Sequence, residues 1–164
     1  LRQIRGPTTF FSSRNKMDAL KVGTIEDSKK HWAEFSQNYA DNFEALTLVL
    51  DAQLQYMAQV HKSKKGVVIP GAGAGLGALK VRQQINPEIK LYLGDISEEM
   101  LELTKKRFTQ VGEKFNEESS NTIISVMDNQ AMPLESNIAD TYICNLSWME
   151  VPDPVLQAKE AFRL

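Results

Sequence analysis

The stretch GVVIPGAGAGLGALK, Gly66 to Lys80, decides how this chain folds. It opens on a short β-branched run, Val67 to Ile69, bounded by Gly66 and Pro70, which reads as a buried strand. Glycines then stand at every second position, Gly71, Gly73, Gly75 and Gly77, and a helix is expected from Gly75 to about Gln84. Glycine accepts positive φ and lets a ligand approach the main chain, and a helix N-terminus adds free N–H groups. No Gly-Lys-Ser/Thr follows, so a P-loop is excluded. Gly73, Gly75 and Ala78 satisfy G-x-G-x-x-A, and Asp95 lies 20 residues after Gly75, where a dinucleotide fold places its ribose-binding acid. The same glycines also suit tight packing without a ligand.

Outward from this loop the periodicity alternates. EDSKKHWAEFSQNYADNFE puts Trp32, Phe35 and Tyr39 on one helix face. ALTLVLDAQLQYMAQVH reads as a second helix, with Leu48, Leu54, Met57 and Val60 among its apolar positions. IKLYLGD is a second strand ending at Asp95. Ser97 is the expected N-cap of the next helix, with Glu98 and Glu99 in its first turn. Leu101, Thr104, Phe108 and Val111 form that helix's stripe, and Gly112 its stop. NTIISVMD and ADTYICNLS are the third and fourth strands, and PDPVLQAKEAFRL opens a last helix. Strands alternating with helices specify an α/β fold: a Rossmann-like, doubly wound parallel sheet covered on both faces. The expected organisation is an irregular or targeting tail over 1–23 and one domain over 24–164. Within that domain, N-terminal helices span 26–61 and the cofactor-binding half spans 66–164.

Composition narrows the classes. The 164 residues are 42% apolar, enough for one globular core, and the formal charge of −2 gives no reason to expect nucleic acid as a partner. Lys62, Lys64 and Lys65 read as a solvated linker. No apolar run approaches the roughly 18 residues of an integral membrane segment. The lone Cys144 permits no internal disulfide and reads as a buried strand residue. His31 and His61 stand apart from any Cys or acid cluster, so no metal site is expected. The opening residues LRQIRGPTTFFSSRNK carry Arg2, Arg5, Arg14 and Lys16 and no acid before Asp18. They suit the tail of a mitochondrial transit peptide, a disordered N-terminus, or untranslated sequence ahead of a true start at Met17, and the expected compartment is cytoplasmic or mitochondrial.

Asp95 sharpens the site. It closes the second strand beside the carboxyl end of the first, the edge where open α/β sheets bind ligands. A carboxylate there accepts from both ribose hydroxyls. Its replacement by alanine is expected to remove most cofactor binding and leave the fold intact.

Downstream, VMDNQAMPLESNIADTYICN places Asp128 after the third strand, then Met132-Pro133-Leu134, then Asp140 opening the fourth. With these elements the chain resembles the class I S-adenosylmethionine-dependent methyltransferases, closest to the small-molecule group that includes the ubiquinone and menaquinone C-methyltransferases. The quoted elements run in order over residues 66 to 164. The helix HWAEFSQNYADNFE is similar to the N-terminal helix that lies over the cofactor in that group. The resemblance implies S-adenosyl-L-methionine as cofactor and a small-molecule methyl acceptor. It implies that Gly71, Ala72, Gly73 and Gly75 pass close to the methionine part and the adenosine. Asp95 would hold the ribose diol, Ile96 would pack on the adenine ring, and Asp128 would accept from the adenine amino group with Asn129 beside the ring. Asn145 would face the methyl group and acceptor. The family places an acid two residues before the first glycine, to orient the cofactor's amino end; here that residue is Ile69. The family also continues past the last helix into three further strands, so the expectation is a chain carrying the first four strands with two N-terminal helices.

Methyl transfer from a sulfonium asks mainly for alignment, worth up to roughly 7–11 kcal/mol, so a catalytic dyad is not required. Asn145 and Glu150 are the candidates on the acceptor side. NLSW, residues 145–148, resembles the Asn-Pro-Pro-aromatic signature of amino-group methyltransferases without its prolines, or is a strand end with Trp148 lining the pocket. Two other readings fit parts of the sequence: an NAD(P)-dependent Rossmann oxidoreductase, and a non-catalytic methyltransferase-like assembly partner.

Overall fold

A computed structural model describes residues 23–164. The tail expected over 1–23, with its targeting reading, lies outside the described residues apart from Gly23. Two helices come first, α1 (Ile25–Asn42) and α2 (Glu44–Met57), and a 3-10 turn, Val60–Lys62, leads into β1 (Gly66–Pro70). There follow α3 (Leu76–Gln84), β2 (Lys90–Asp95), α4 (Glu98–Gln110), β3 (Thr122–Val126) and β4 (Thr141–Tyr142). A second 3-10 turn, Trp148–Glu150, precedes α5 (Pro154–Arg163).

The sheet is parallel throughout, in the order β3-β2-β1-β4. The chain steps from β1 to β2 to β3 in one direction, then returns to the far side of β1 for β4. That reversal opens a crevice at the carboxyl ends of β1 and β4, the place where open α/β sheets bind ligands. Every residue of β1 is buried, as a strand covered on both faces requires. On one face Val67, Ile69, Leu91, Leu93 and Ile124 pack with Leu79, Val81, Leu101 and Phe108 from α3 and α4. On the other, Val68 and Tyr92 meet Met127, Met132 and Leu164. Removing one large side chain of this kind from water stabilises the fold by about 1.5–3 kcal/mol.

Caps fix where the helices begin. Thr24 and Asp27 form a reciprocal capping box at α1. Ser97 Oγ accepts from Met100 N at α4, and Asp153 does the same for Val155 and Leu156 at α5, where Pro154 follows directly. In α4 the stripe Leu101, Thr104 and Phe108 is buried as expected, but Val111 is not: it is the C-cap and 53% exposed, because Gly112 turns the chain at φ +76 just beyond it.

β4 is much shorter than the run ADTYICNLS suggests. The Ile143 N–H donates to the Val68 carbonyl at 2.9 Å. The next bond of a parallel ladder would run from the N–H of residue 70, and Pro70 has none. The chain leaves the sheet there, and Ser147 Oγ donates to the Pro70 carbonyl instead, at 3.2 Å. Cys144 therefore lies beyond the strand and is half-buried rather than buried. At the other end of the same strand pair, the Asp140 carboxylate accepts from Ser63 Oγ and from Lys64 N, which ties the entry of β4 to the entry of β1.

The second helix reverses the usual amphipathic rule. Its most buried residues are Glu44 and Gln55, and with Thr47 and Asp51 they make a polar stripe that faces the glycine loop and α3. Met57, expected on the apolar face, is 75% exposed, as are Leu46 at 73% and Val49 at 67%. Hydrogen bonds explain the orientation. Glu44 Oε1 accepts from Leu76 N at 2.8 Å, and Gln55 Nε2 donates to the Gly77 carbonyl at 3.3 Å. The sequence period located the helix; the polar partners on the loop chose which face turned inward.

Candidate functional site

A cavity of about 320 Å³ sits in the crevice above β1 and β4. Its floor is the glycine loop at Gly71 and Gly73. Asp95 and Ile96 from the end of β2 form one wall, Asp128 and Asn129 after β3 a second, and Asn145 after β4 a third. Helix α1 roofs it with Ile25, Ser28, Trp32 and Tyr39, residues on one helix face. Toward α2 it meets a smaller lobe of about 40 Å³, lined by Ala72, Ile69, Glu44, Thr47, Asp51 and, again, Asn145.

Most of the residues expected at the site are thus brought together. Gly75 is not: it is buried outside the lining, at φ +85, and serves as the N-cap of α3. A Cβ there would stand 2.7 Å from Thr104 Oγ1 and 3.0 Å from Thr104 Cα, so α4 packs against the turn and not a ligand. Trp148 is also absent from the lining and 41% exposed. Its neighbours in the 3-10 turn, Met149 and Glu150, line the cavity mouth in its place, Met149 while largely exposed. Ile69, where the family would put an acid, lies in the sheet core and reaches the smaller lobe.

Asp95 does more than face the cavity. Its Oδ2 accepts from Gly73 N at 2.9 Å and its Oδ1 from Ser97 N at 3.0 Å. The carboxylate therefore clamps the glycine loop to the start of α4, joined by Thr104 Oγ1, which donates to the Gly73 carbonyl at 2.8 Å. Burial pushes the Asp95 carboxyl above the usual range, against the pull of the Ser97, Gly73 and Ile96 amides. Asp128 accepts from the Gln130 backbone N at 2.9 Å and from its side-chain amide at 3.1 Å. The Met132-Pro133-Leu134 turn is held from α5: Met132 N donates to Glu160, and Arg163 donates to the Met132 and Leu134 carbonyls at 3.0 and 2.7 Å.

Several site residues carry no sequence signal. Glu44, Asp51 and Gln130 match no motif, and only the turn of α2 and the loop after β3 bring them to the cavity. Glu44 is 4% exposed and holds two partners, Leu76 N and Arg107 Nη1 at 2.7 Å. Replacing it with alanine orphans the first amide of α3 and leaves Arg107 unpaired. Arg107 keeps 25% of its side chain in solvent and so regains hydration. We expect Glu44→Ala to lose about 2 kcal/mol in urea unfolding, with Glu44→Gln in between.

The electrostatics of the site are one-sided. Asp95, Asp128 and Glu150 line the main cavity, Glu44 and Asp51 the smaller lobe, and no Lys, Arg or His lines either among the described residues. The N-terminus of α3, the natural seat of an anion after a glycine loop, is already taken by the Glu44 carboxylate.

A model of the methyltransferase domain family matches residues 68–164, more than half of the chain. The fold is similar to that of several solved proteins. A proposed S-adenosyl-L-methionine-dependent methyltransferase of Methanococcus maripaludis is 17% identical, with a TM-score of 0.61 over 85% of this chain and 58% of that one. A methyltransferase dependent on the same cofactor from Aquifex aeolicus is 18% identical, with a TM-score of 0.59 over 86% of this chain and 66% of that one. One from Thermotoga maritima, named as a possible histamine N-methyltransferase, is 21% identical, with a TM-score of 0.55 over 80% of this chain and 55% of that one. The chain thus spans less than two thirds of the length of each. No curated protein matches its sequence.

Proposed function

The chain belongs to the methyltransferase domain family, and from that membership we propose that it binds S-adenosyl-L-methionine and directs methyl transfer to a small-molecule acceptor. One observation carries the choice of ligand: among the described residues the cavity is lined by carboxylates and by no basic side chain. S-adenosylmethionine bears a sulfonium and an ammonium against a single carboxylate, so it is a net cation. A dinucleotide brings pyrophosphate, for which the described residues of this cavity offer no basic partner, and the α3 N-terminus that would receive it holds Glu44 instead. The same feature disfavours the oxidoreductase reading.

The residues present fit the cofactor. Asp95 lines the cavity and has lone pairs left to accept from the ribose hydroxyls while keeping its loop amides. Ile96 offers an apolar surface to the adenine ring, and Asp128 and Asn129 offer polar groups to its edge. Gly71 and Gly73 let the chain pass along the amino-acid end. The bound cofactor supplies a methyl group already activated on sulfur. The protein's part is to align the acceptor with it and exclude water. Trp32, Leu146 and Met149 give the outer cavity an apolar wall beside Glu150, which suits an acceptor with an apolar body. Asn145 and Glu150 line the same cavity and are the candidate polar groups for the acceptor. No helix of the described residues is long and apolar enough to cross a membrane.

Calorimetry tests this directly. S-adenosylmethionine and S-adenosylhomocysteine should each bind saturably at one site, and NAD should give no heat and no thermal protection. Protection by NAD alone would overturn the reading. No response to either ligand would favour an assembly role without catalysis.

A further inference from the structure

Asp51 stands on the inward stripe of α2, at the back of the smaller lobe. The other acid of that stripe, Glu44, is matched by Arg107 and by the Leu76 amide. Gln55 is matched by the Gly77 carbonyl and Gln84. Asp51 has no basic partner among the described residues: its Oδ1 accepts from Asn145 Nδ2 at 2.6 Å, and no ion pair reaches it. Burial first, and then the nearby Glu44 carboxylate, raise its carboxyl above the usual range against the pull of hydrogen bonds from Asn145 and Thr47. The fold keeps this charge close to the loop at the expense of side chains elsewhere. A Cβ on Gly77 would lie 2.5 Å from Asp51 Oδ2, so the glycine leaves the space the carboxylate fills. Tyr39, whose ring lies 3.6 Å from where a Gly73 Cβ would stand, feels Glu44, Asp51 and Asp95 together. Asp51 and Asp95 thus both stand against the glycine loop, at Gly77 and at Gly73, and Ile69, the residue of β1 that lines the lobe with Asp51, is apolar.

We infer that Asp51 is the anchor for the ligand's α-ammonium group, reached from helix α2 across the lobe that Ile69 leaves uncharged. The inference rests on the S-adenosylmethionine reading above. Asn145 orients the carboxylate by its hydrogen bond. Asp51 so sets specificity between ligands that carry the amino-acid tail and ligands that end at the thioether.

The test compares S-adenosylhomocysteine with 5′-methylthioadenosine, which shares the nucleoside and lacks the amino-acid end, by calorimetry on the full chain. The unaltered protein should prefer S-adenosylhomocysteine. Asp51→Asn keeps the side-chain shape and an acceptor for Asn145, so it should weaken S-adenosylhomocysteine by about tenfold or more while leaving 5′-methylthioadenosine within about twofold. Equal weakening of both ligands, or of neither, overturns the inference and leaves the cofactor reading standing. Failure of the unaltered protein to bind either ligand overturns the cofactor reading itself. Should Asp51→Asn not fold, S-adenosylhomocysteine is compared in the unaltered protein with its analogue lacking the α-amino group. A preference of about tenfold is expected there, and equal affinity overturns the role of Asp51.

Discussion

Asp95→Ala should reduce S-adenosylhomocysteine affinity by on the order of a hundredfold and also lower the stability of the ligand-free protein by about 2–4 kcal/mol. The first effect follows from losing a charged acceptor for two ribose hydroxyls, at roughly 1.5–3 kcal/mol for a hydrogen bond to an ion. The second was not foreseeable from the motif, which predicts an intact fold. In the structure the carboxylate accepts from Gly73 N and Ser97 N. Ser97 is 2% exposed, so its amide finds no water when the acceptor is gone. Each amide left without a partner costs about 1–3 kcal/mol. Calorimetric titration reads the first effect and urea unfolding the second. Unchanged affinity would remove Asp95 from the ligand site; unchanged stability would show that the loop is not held by this carboxylate. The pH dependence has a definite sign. Burial raises the Asp95 carboxyl, so on acidification it takes up its proton earlier than a surface carboxylate would. Ligand affinity that depends on the ionised form should accordingly begin to fall at a higher pH than an exposed aspartate would give.

Gly75→Ala should cost about 3 kcal/mol or more, although Gly75 lines neither lobe of the cavity. Its φ of +85 disfavours any L side chain by roughly 1–2 kcal/mol. The added methyl would also meet Thr104 Oγ1, Cγ2 and Cα at 2.7, 2.8 and 3.0 Å. Overpacking of this kind costs about 1–3 kcal/mol. Thr104 is fully buried and donates to the Gly73 carbonyl, so it has no free direction in which to move. The contact with Cα is with backbone, and Thr104→Ala relieves only the side-chain part. Denaturant unfolding of both single variants and the double variant should therefore show the pair to be non-additive, with the double variant still well below the unaltered protein. Additive losses would mean that α4 yields and the strain lies in the turn alone.

Much of this architecture is legible in the residues. The β-branched runs, the cap at Ser97 and the glycine stop at Gly112 are local signals, and local signals place elements. What fails does so for a reason. β4 stops early because Pro70, on the neighbouring strand, withholds an N–H; nothing inside ADTYICNLS announces it. Met57 is exposed because α2 is oriented by the hydrogen bonds that Glu44 and Gln55 make with the first turn of α3, more than twenty residues away. Apolar periodicity reads burial as a property of the helix, and here it is a property of the partner.

The site divides along the same line. By itself the sequence determined the loop, the acid that ends β2, the polar pair after β3 and the family they imply, because each sits at a fixed offset from a strand end. Tertiary structure decided what the loop can hold. It put Glu44 on the α3 N-terminus, where a phosphate would otherwise sit, and brought Asp51 from a separate helix to the position that Ile69 leaves without charge. A motif fixes the backbone around a ligand; the charge facing that backbone comes from whichever element packs across it, and only the folded chain selects that element.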